Sequence, residues 1–376
     1  MPIEALEVGR FHRNEAGEIF IGETQLTDPH LSSLNLREHL ESPLYFNQLG
    51  AGFVKPTDLL FLDTETTGLA GGTGTHAFLV GVGYFDASGF NLRQFFMRSP
   101  AEERALLEEL RMFFDEFSVL VTFNGKSFDW PLIDTRFVMH GYRIAFGFSH
   151  LDLLHPARRI WKHRLPSCSL TSLEQAIYRV QRNGDVPGFL IPQLYFDYLR
   201  DGDARRLSPV FAHNRADIVT LARLLETLLA VEADPERELT HPEDRIGMGL
   251  AFLAAGDLQR GYESLTLALE SPYLEPSLRR RAQAEIWQML RREGRMLEGL
   301  AMLEEMCGSS SRSGVFDLFP FIELAKYYEH VARDYVAAAR VVERALRLVE
   351  LRHQVGSRSE LTYRLQRIQR KLLASR

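Results

Sequence analysis

Phe61 to Leu69 read FLDTETTGL, preceded by Leu59 and Leu60, and the reading of this stretch decides the fold. An apolar run of strand length ends in Asp63-Thr64-Glu65, and side chains two apart on an extended segment point to the same side. Both carboxylates therefore face one site. Two anions held together raise one pKa strongly unless a cation compensates. A divalent ion is the simplest compensation, and hard Mg²⁺ or Mn²⁺ suits an all-oxygen site. Taken alone, an Asp-x-Glu after a strand is more often a solvated strand end. Two further segments change that weight. In NGKSFD, Asn124 to Asp129, a strand ends at Phe123, a glycine-containing turn follows, and Asp129 opens a helix. In HNRAD, His213 to Asp217, the imidazole and the carboxylate stand one helical turn apart on one face.

Working outward, Phe78 to Phe85 is rich in Val and Gly and Leu92 to Met97 is aromatic, so Leu59 begins a series of three sequential strands. Ser99-Pro100 with Glu102 and Glu103 predicts a helix start, Pro in the first turn and acids at the positive end of the dipole. That helix is expected to reach about Phe117. A strand over Val119 to Phe123, a helix over Trp130 to His140 and a strand near His150 to Leu154 follow. Strands succeeded by alternating helix and strand predict an α/β layer fold with a mixed sheet flanked by helices. The segment Asn183 to Pro192, rich in Gly and Pro, reads as a surface loop, and Ser208 to Val231 as a long helix. Ahead of Asp58 the chain reads as an irregular extension with one hairpin near Gly17. The expected domains are therefore an extension over 1–57, an α/β domain over 58–232, and an all-α domain over 241–376. In the last, helix breaks at Gly256-Asp257, Gly294-Arg295 and Arg333-Asp334 recur at nearly equal intervals, which suits stacked helix pairs.

The three motifs, in this order and with these gaps, resemble the exonuclease motifs of the DEDD superfamily on a ribonuclease-H-like fold. GLAGGTGTHAFLVGVG (Gly68 to Gly83) and DLLHPARRIW (Asp152 to Trp161) are similar to a bacterial branch of predicted ribonuclease-H-like exonucleases, some with tetratricopeptide-type tails. The resemblance is strong over Asp58 to Val231. It is weaker in the tail, where the tetratricopeptide-like (TPR-like) pairs lack the Trp and Tyr signature and exceed the usual period of about 34 residues. What it implies is a two-metal phosphodiesterase: Asp63 bridging both ions, Glu65 and Asp217 completing one site, Asp129 holding the other through water, and His213 orienting or deprotonating the attacking water. In the superfamily's histidine class the His lies five positions before the last Asp, and in its tyrosine class the gap is four. This chain has a His at the four-residue gap. Candidate substrate contacts are Thr66 and Gly68 in the first motif, His76 in the glycine-rich run, Asn124 and Lys126 in the second motif, and Arg158 and Arg159, suited to a phosphate backbone. No Gly-Lys-Ser/Thr follows the glycines, which excludes a P-loop. They read instead as a close-packed turn letting backbone approach a nucleotide.

Composition sets the frame. At 376 residues and 45% hydrophobic the chain can bury a substantial core, and its apolar runs are all shorter than a membrane span needs. With no apolar block of a secretory signal, the expected compartment is the cytoplasm. Cys168 and Cys307 exclude a disulfide framework and a cysteine-based zinc site. Net charge is -6, unevenly spread: residues 241–376 carry 21 Lys and Arg against 18 Asp and Glu, leaving 23 against 32 before them. Carboxylates awaiting metal contribute to that acidity, so it does not exclude nucleic acid. The leading expectation is a metal-dependent 3′-5′ exonuclease on single-stranded DNA or RNA, with a protein partner for the helical tail. The alternatives are a non-catalytic scaffold that binds nucleic acid and an endonuclease of ribonuclease-H type.

Overall fold

The computed structural model describes residues 1–6, 9–26, 54–68, 73–143, 146–312, 317–351 and 358–374. It divides into two compact units, Met1–Ala251 and Phe252–Arg376.

The first unit is built on a seven-stranded mixed sheet. Its strands are β1 (Gly9–Asn14), β2 (Gly17–Leu26), β3 (Leu59–Thr66), β4 (Ala77–Asp86), β5 (Gly89–Phe96), β6 (Val119–Thr122) and β7 (Ser149–Asp152), in the spatial order β1-β2-β5-β4-β3-β6-β7. Along that order every pairing from β1 to β3 is antiparallel, and β6 and β7 are parallel to β3. The principal helices of this unit are α1 (Glu103–Phe114), α2 (Asp129–Met139), α3 (Leu154–Trp161), α4 (Ile191–Asp201) and α5 (Ser208–Ala233). Strands β3 and β6 are buried along almost their whole length, as near-continuous apolar runs require when both faces of a sheet are covered. The arrangement is a ribonuclease-H-like fold, as the sequence predicts.

The N-terminal residues depart from their reading as an irregular extension. The expected hairpin is present, but β2 pairs with β5 from Phe20↔Phe96 to Leu26↔Phe90 and so prolongs the sheet. The Asn14 carboxamide fixes the turn. Its Oδ1 accepts from the N–H groups of Ala16 and Gly17, at 2.9 and 3.1 Å, and its Nδ2 donates to Ala105 O of α1 at 2.8 Å. Residues 27–53 lie outside the described part.

The placement of α5 depends on a bare strand beneath it. Gly81 and Gly83 of β4 leave a groove in which Asn214 and Ile218, one helical turn apart, lie against the sheet. A Cβ at Gly81 would stand 2.1 Å from Asn214 Oδ1, and one at Gly83 2.6 Å from Ile218 Cγ2. These two glycines thus serve helix-to-sheet packing, not the approach of backbone to a nucleotide. Residues 69–72 of the same run lie outside the described part.

The second unit is helical. Pro242–Ala255, which begins in the first unit, is followed by Leu258–Leu269, Pro276–Arg292, Met296–Arg312, Phe319–His330, Tyr335–Leu351 and Arg358–Ala374. The breaks fall where glycine or a left-handed residue ends a helix: Gly256 (φ 88°), Gly294 (φ 75°) and Arg333 (φ 54°). Among the described residues no helix is long and apolar enough to cross a membrane.

Gly81→Ala is expected to lift α5 off β4 and to lower unfolding stability by about 1–3 kcal/mol, the usual cost of overpacking. Urea unfolding of the two proteins measures it, and an unchanged midpoint would contradict the groove.

Candidate active site

Asp63 and Glu65 lie two residues apart near the C-terminal end of β3, Glu65 buried and Asp63 half-buried. Their neighbours join them to the other motifs. The Thr64 hydroxyl donates to Asp129 Oδ1 at 2.5 Å, which fixes the first turn of α2 against β3. From the other side Asn214 Nδ2 donates to Asp63 Oδ2 at 2.9 Å. Asn214 is fully buried, and its Oδ1 accepts from Gln94 Nε2 of β5 at 2.9 Å. The carboxamide in the middle of HNRAD therefore ties the third motif to the first, and the same helix seats Asp217 beside them.

Burial and charge act together on these four acids. Burial holds the Asp63 carboxyl well above its ordinary range, and the charges of Asp217, Glu65 and Asp129 push it further, with the Asn214 hydrogen bond opposing. Glu65 is raised by burial and then by Asp217, Asp129 and Asp185, against the pull of Arg182. Asp129 rises to about 6 through burial, held back by its bond from Thr64. Asp217 is raised by burial, while Arg182 and His213 draw it down. Such a concentration of buried like charge is what a bound cation relieves. The donors are all oxygen, which fits Mg²⁺ or Mn²⁺. Among the described residues no three acidic, His or Cys side chains close into a ready-made cage.

Arg182 stands where such relief is most needed. Its Nη2 donates to Asp217 Oδ1 and its Nε to Glu174 Oε2, both at 2.6 Å, and its buried Nη1 has no hydrogen-bond partner, lying 3.6 Å from Asp185 Oδ2. Asp185 also holds the third-motif imidazole. His213 Nδ1 lies 2.7 Å from Asp185 Oδ1, and His213 Nε2 lies 3.5 Å from Asp217 Oδ2. The segment read as a plain surface loop thus sends a carboxylate to the site. Leading into it, the chain runs through a π-type turn over Glu174–Tyr178 and a left-handed Arg179, the irregular backbone common beside functional sites.

The candidate substrate contacts divide. The buried Thr66 hydroxyl donates to Gly68 O at 2.9 Å, so the two brace each other beside Glu65. Asn124, in the left-handed region at φ 66°, opens the second-motif turn. Asp152 holds that turn by accepting from the N–H groups of Asn124 and Lys126 at 2.8 and 3.1 Å. Lys126, Arg158 and Arg159 are exposed. His76 does not join the carboxylates. Its Nδ1 lies 2.8 Å from Glu103 Oε1, in a buried cluster where Arg136 grips Glu103 with two nitrogens and His140 Nε2 lies 2.7 Å from Oε2. This corrects the expectation of a substrate contact: the imidazole is taken up by an ion network. Asn214, Thr64, Arg182 and Asp185 escaped the sequence reading. Asn214 and Thr64 left a signal, by lying inside the third and first motifs.

Comparison with known proteins shows what the chain is similar to. Residues 60–229 match the model of the RNase_H superfamily. Over 303 residues the chain is 31% identical to a Bacillus subtilis (strain 168) protein, "Uncharacterized protein YprB", covering 79% of this chain and 71% of that one. A family B DNA polymerase from the hyperthermophilic archaeon Pyrobaculum calidifontis is similar at a TM-score of 0.38 and 16% identity, over 54% of this chain and 30% of the polymerase.

Raised carboxyl pKa values have a sign. They favour the folded state below the ordinary aspartate value near 4, and that contribution is lost as pH rises through the folded value, about 6 for Asp129. In EDTA the wild type should therefore melt at lower temperature at pH about 7.5 than at pH about 5. Asp63→Asn should lose less over the same interval and melt several degrees higher at the upper pH. Thermal melts of both proteins decide it; equal pH dependence would contradict the repulsion described.

Proposed function

The chain belongs to the family of YprB and, over residues 60–229, to the RNase_H superfamily; from this premise we propose that it is a divalent-metal-dependent nuclease that shortens single-stranded nucleic acid from its 3′ end. What supports the reading most is that Thr64 binds Asp129 and Asn214 binds Asp63, joining the three segments that bear Asp63, Glu65, Asp129 and Asp217, while burial and like charge raise the Asp63 and Glu65 carboxyls. In this reading Asp63 and Glu65 from β3, Asp217 from α5 and Asp129 from α2 hold the metal. When bound, Mg²⁺ or Mn²⁺ supplies charge neutralisation and Lewis-acid polarisation of a phosphoryl oxygen.

The rest is done by the chain's own groups. With Nδ1 turned to Asp185, His213 keeps Nε2 for the site, and we assign it the task of orienting water and accepting its proton, a role that imidazole side chains commonly fill. Asp185 holds the ring in that orientation. Arg182 offsets the charge of Asp217 and keeps that carboxylate in place. The 3′ polarity rests on the resemblance of the three motifs. The second unit, with its evenly recurring helix breaks, supports a reading as tetratricopeptide-like pairs that receive a partner protein.

Single strands labelled at either end, incubated with Mn²⁺ or Mg²⁺, should give a ladder from the 3′ end. Asp63→Ala should reduce cleavage to background, and circular single strands should stay intact. Hydrolysis that survives Asp63→Ala would refute the assignment, and cleaved circles would mark an endonuclease. Asp185→Asn should lower kcat by roughly 10–100-fold, the usual loss on removing a group that orients a site residue, with KM little changed. An unaltered kcat would remove Asp185 from the mechanism.

A further inference from the structure

Next to the second-motif turn lies a cleft of about 660 Å³, within the range of roughly 300–1,000 Å³ usual for ligand sites. Its lining combines the apolar side chains of Phe123, Leu154 and Leu165 with the polar ones of Asn124, Arg158 and Lys162. Arg158, in the last turn of α3, and Lys162, one helical turn on, reach the same opening because residues four apart share a helix face. Both are exposed, and among the described residues neither makes an ion pair. Asp244, whose charge is felt at Cys168 in the cleft wall, is already engaged by Arg164, with Nε 2.9 and 2.8 Å from its two oxygens. Two uncompensated cations side by side stand out in a chain with 50 acids to 44 bases.

The cleft is joined to the carboxylate site through Asp152. This buried carboxylate accepts the Asn124 and Lys126 N–H groups, holding the turn in which Asn124 takes its left-handed conformation, and its charge is felt at Asp129. Asn124 therefore borders the cleft while its turn leads directly into Asp129. We propose that this cleft is the track for the substrate strand next to the bond that is cut: Arg158 and Lys162 hold successive phosphates of single-stranded nucleic acid, and the apolar lining residues receive a base. Arg159 does not line the cleft, which separates the two neighbouring arginines by role. A phosphate backbone is the partner that fits, because the cations are spaced along one groove beside a site for phosphodiester chemistry, and contacts of this kind position a strand without reading its sequence.

The proposal rests on the nuclease reading for its orientation, and its test is binding, which needs no turnover. In the full-length Asp63→Asn protein in EDTA, fluorescence anisotropy of a short fluorescein-labelled DNA single strand is followed over a range of salt. Removing one phosphate-binding cation should lower the slope of log K against log salt by about 0.7 and weaken binding roughly eightfold at about 50 mM salt. Arg158→Gln and Lys162→Gln should each show one such step, the double variant two, and Arg10→Gln, on β1 at the opposite edge of the sheet, none. Parental affinity and slope in the double variant overturn the track, as does a parent that binds no strand. Stepwise weakening of binding, combined with a wild type that cleaves nothing, would uphold the cleft and sink the nuclease reading alone.

Discussion

Like charges in a low-dielectric interior repel more strongly than they do in water, and the first unit is arranged around that repulsion. Four carboxylates approach one another because stronger demands place their elements. Thr64 binds Asp129 and Asn214 binds Asp63, so the segments are joined by neutral hydrogen-bonding groups next to the acids. The helix that carries Asp217 can come so near because β4 offers Gly81 and Gly83 beneath Asn214 and Ile218. Packing of apolar and amide groups thus does the folding work and the carboxylates are carried along. Arg182 answers part of the excess charge, at Asp217, and leaves the Asp63 end raised by its neighbours.

What could be read in the sequence followed from local period. The alternation of β3 places Asp63 and Glu65 together, and the helical turn between His213 and Asp217 is equally local. The strands of the central sheet, the long helix and the helix breaks at Gly256, Gly294 and Arg333 announce themselves in the same way. Contacts made across the fold do not. Phe20 pairs with the distant Phe96, and nothing in the opening stretch marks β2 as a neighbour of β5. The strand holding Gly81 and Gly83 is legible but the purpose of its glycines is not, since what they accommodate is a helix that starts only at Ser208. Asp185 sits in a stretch whose Gly and Pro suggest a loop, and Arg182 directly precedes it; the loop is real, but composition cannot show which side chains turn inward.

Another buried acid of the unit gives a measure of this group. Glu103 is buried, as Glu65 is, and burial alone would raise its pKa. Hydrogen bonds from Arg136, His140 and His76 reverse that, holding Glu103 below its ordinary range. Every demand of that carboxylate is met by the protein, which is how a buried ionic group kept for structure behaves. The Asp63 cluster has the opposite sign. Its members gain an amide, a hydroxyl, one guanidinium and the His213 imidazole, and remain raised. A fold able to satisfy Glu103 with an arginine and two imidazoles leaves Asp63 with no cationic partner of its own among the described residues. Under the proposed function, perturbation of this kind, standing on geometry drawn from three segments, is what a cation from outside the chain would relieve.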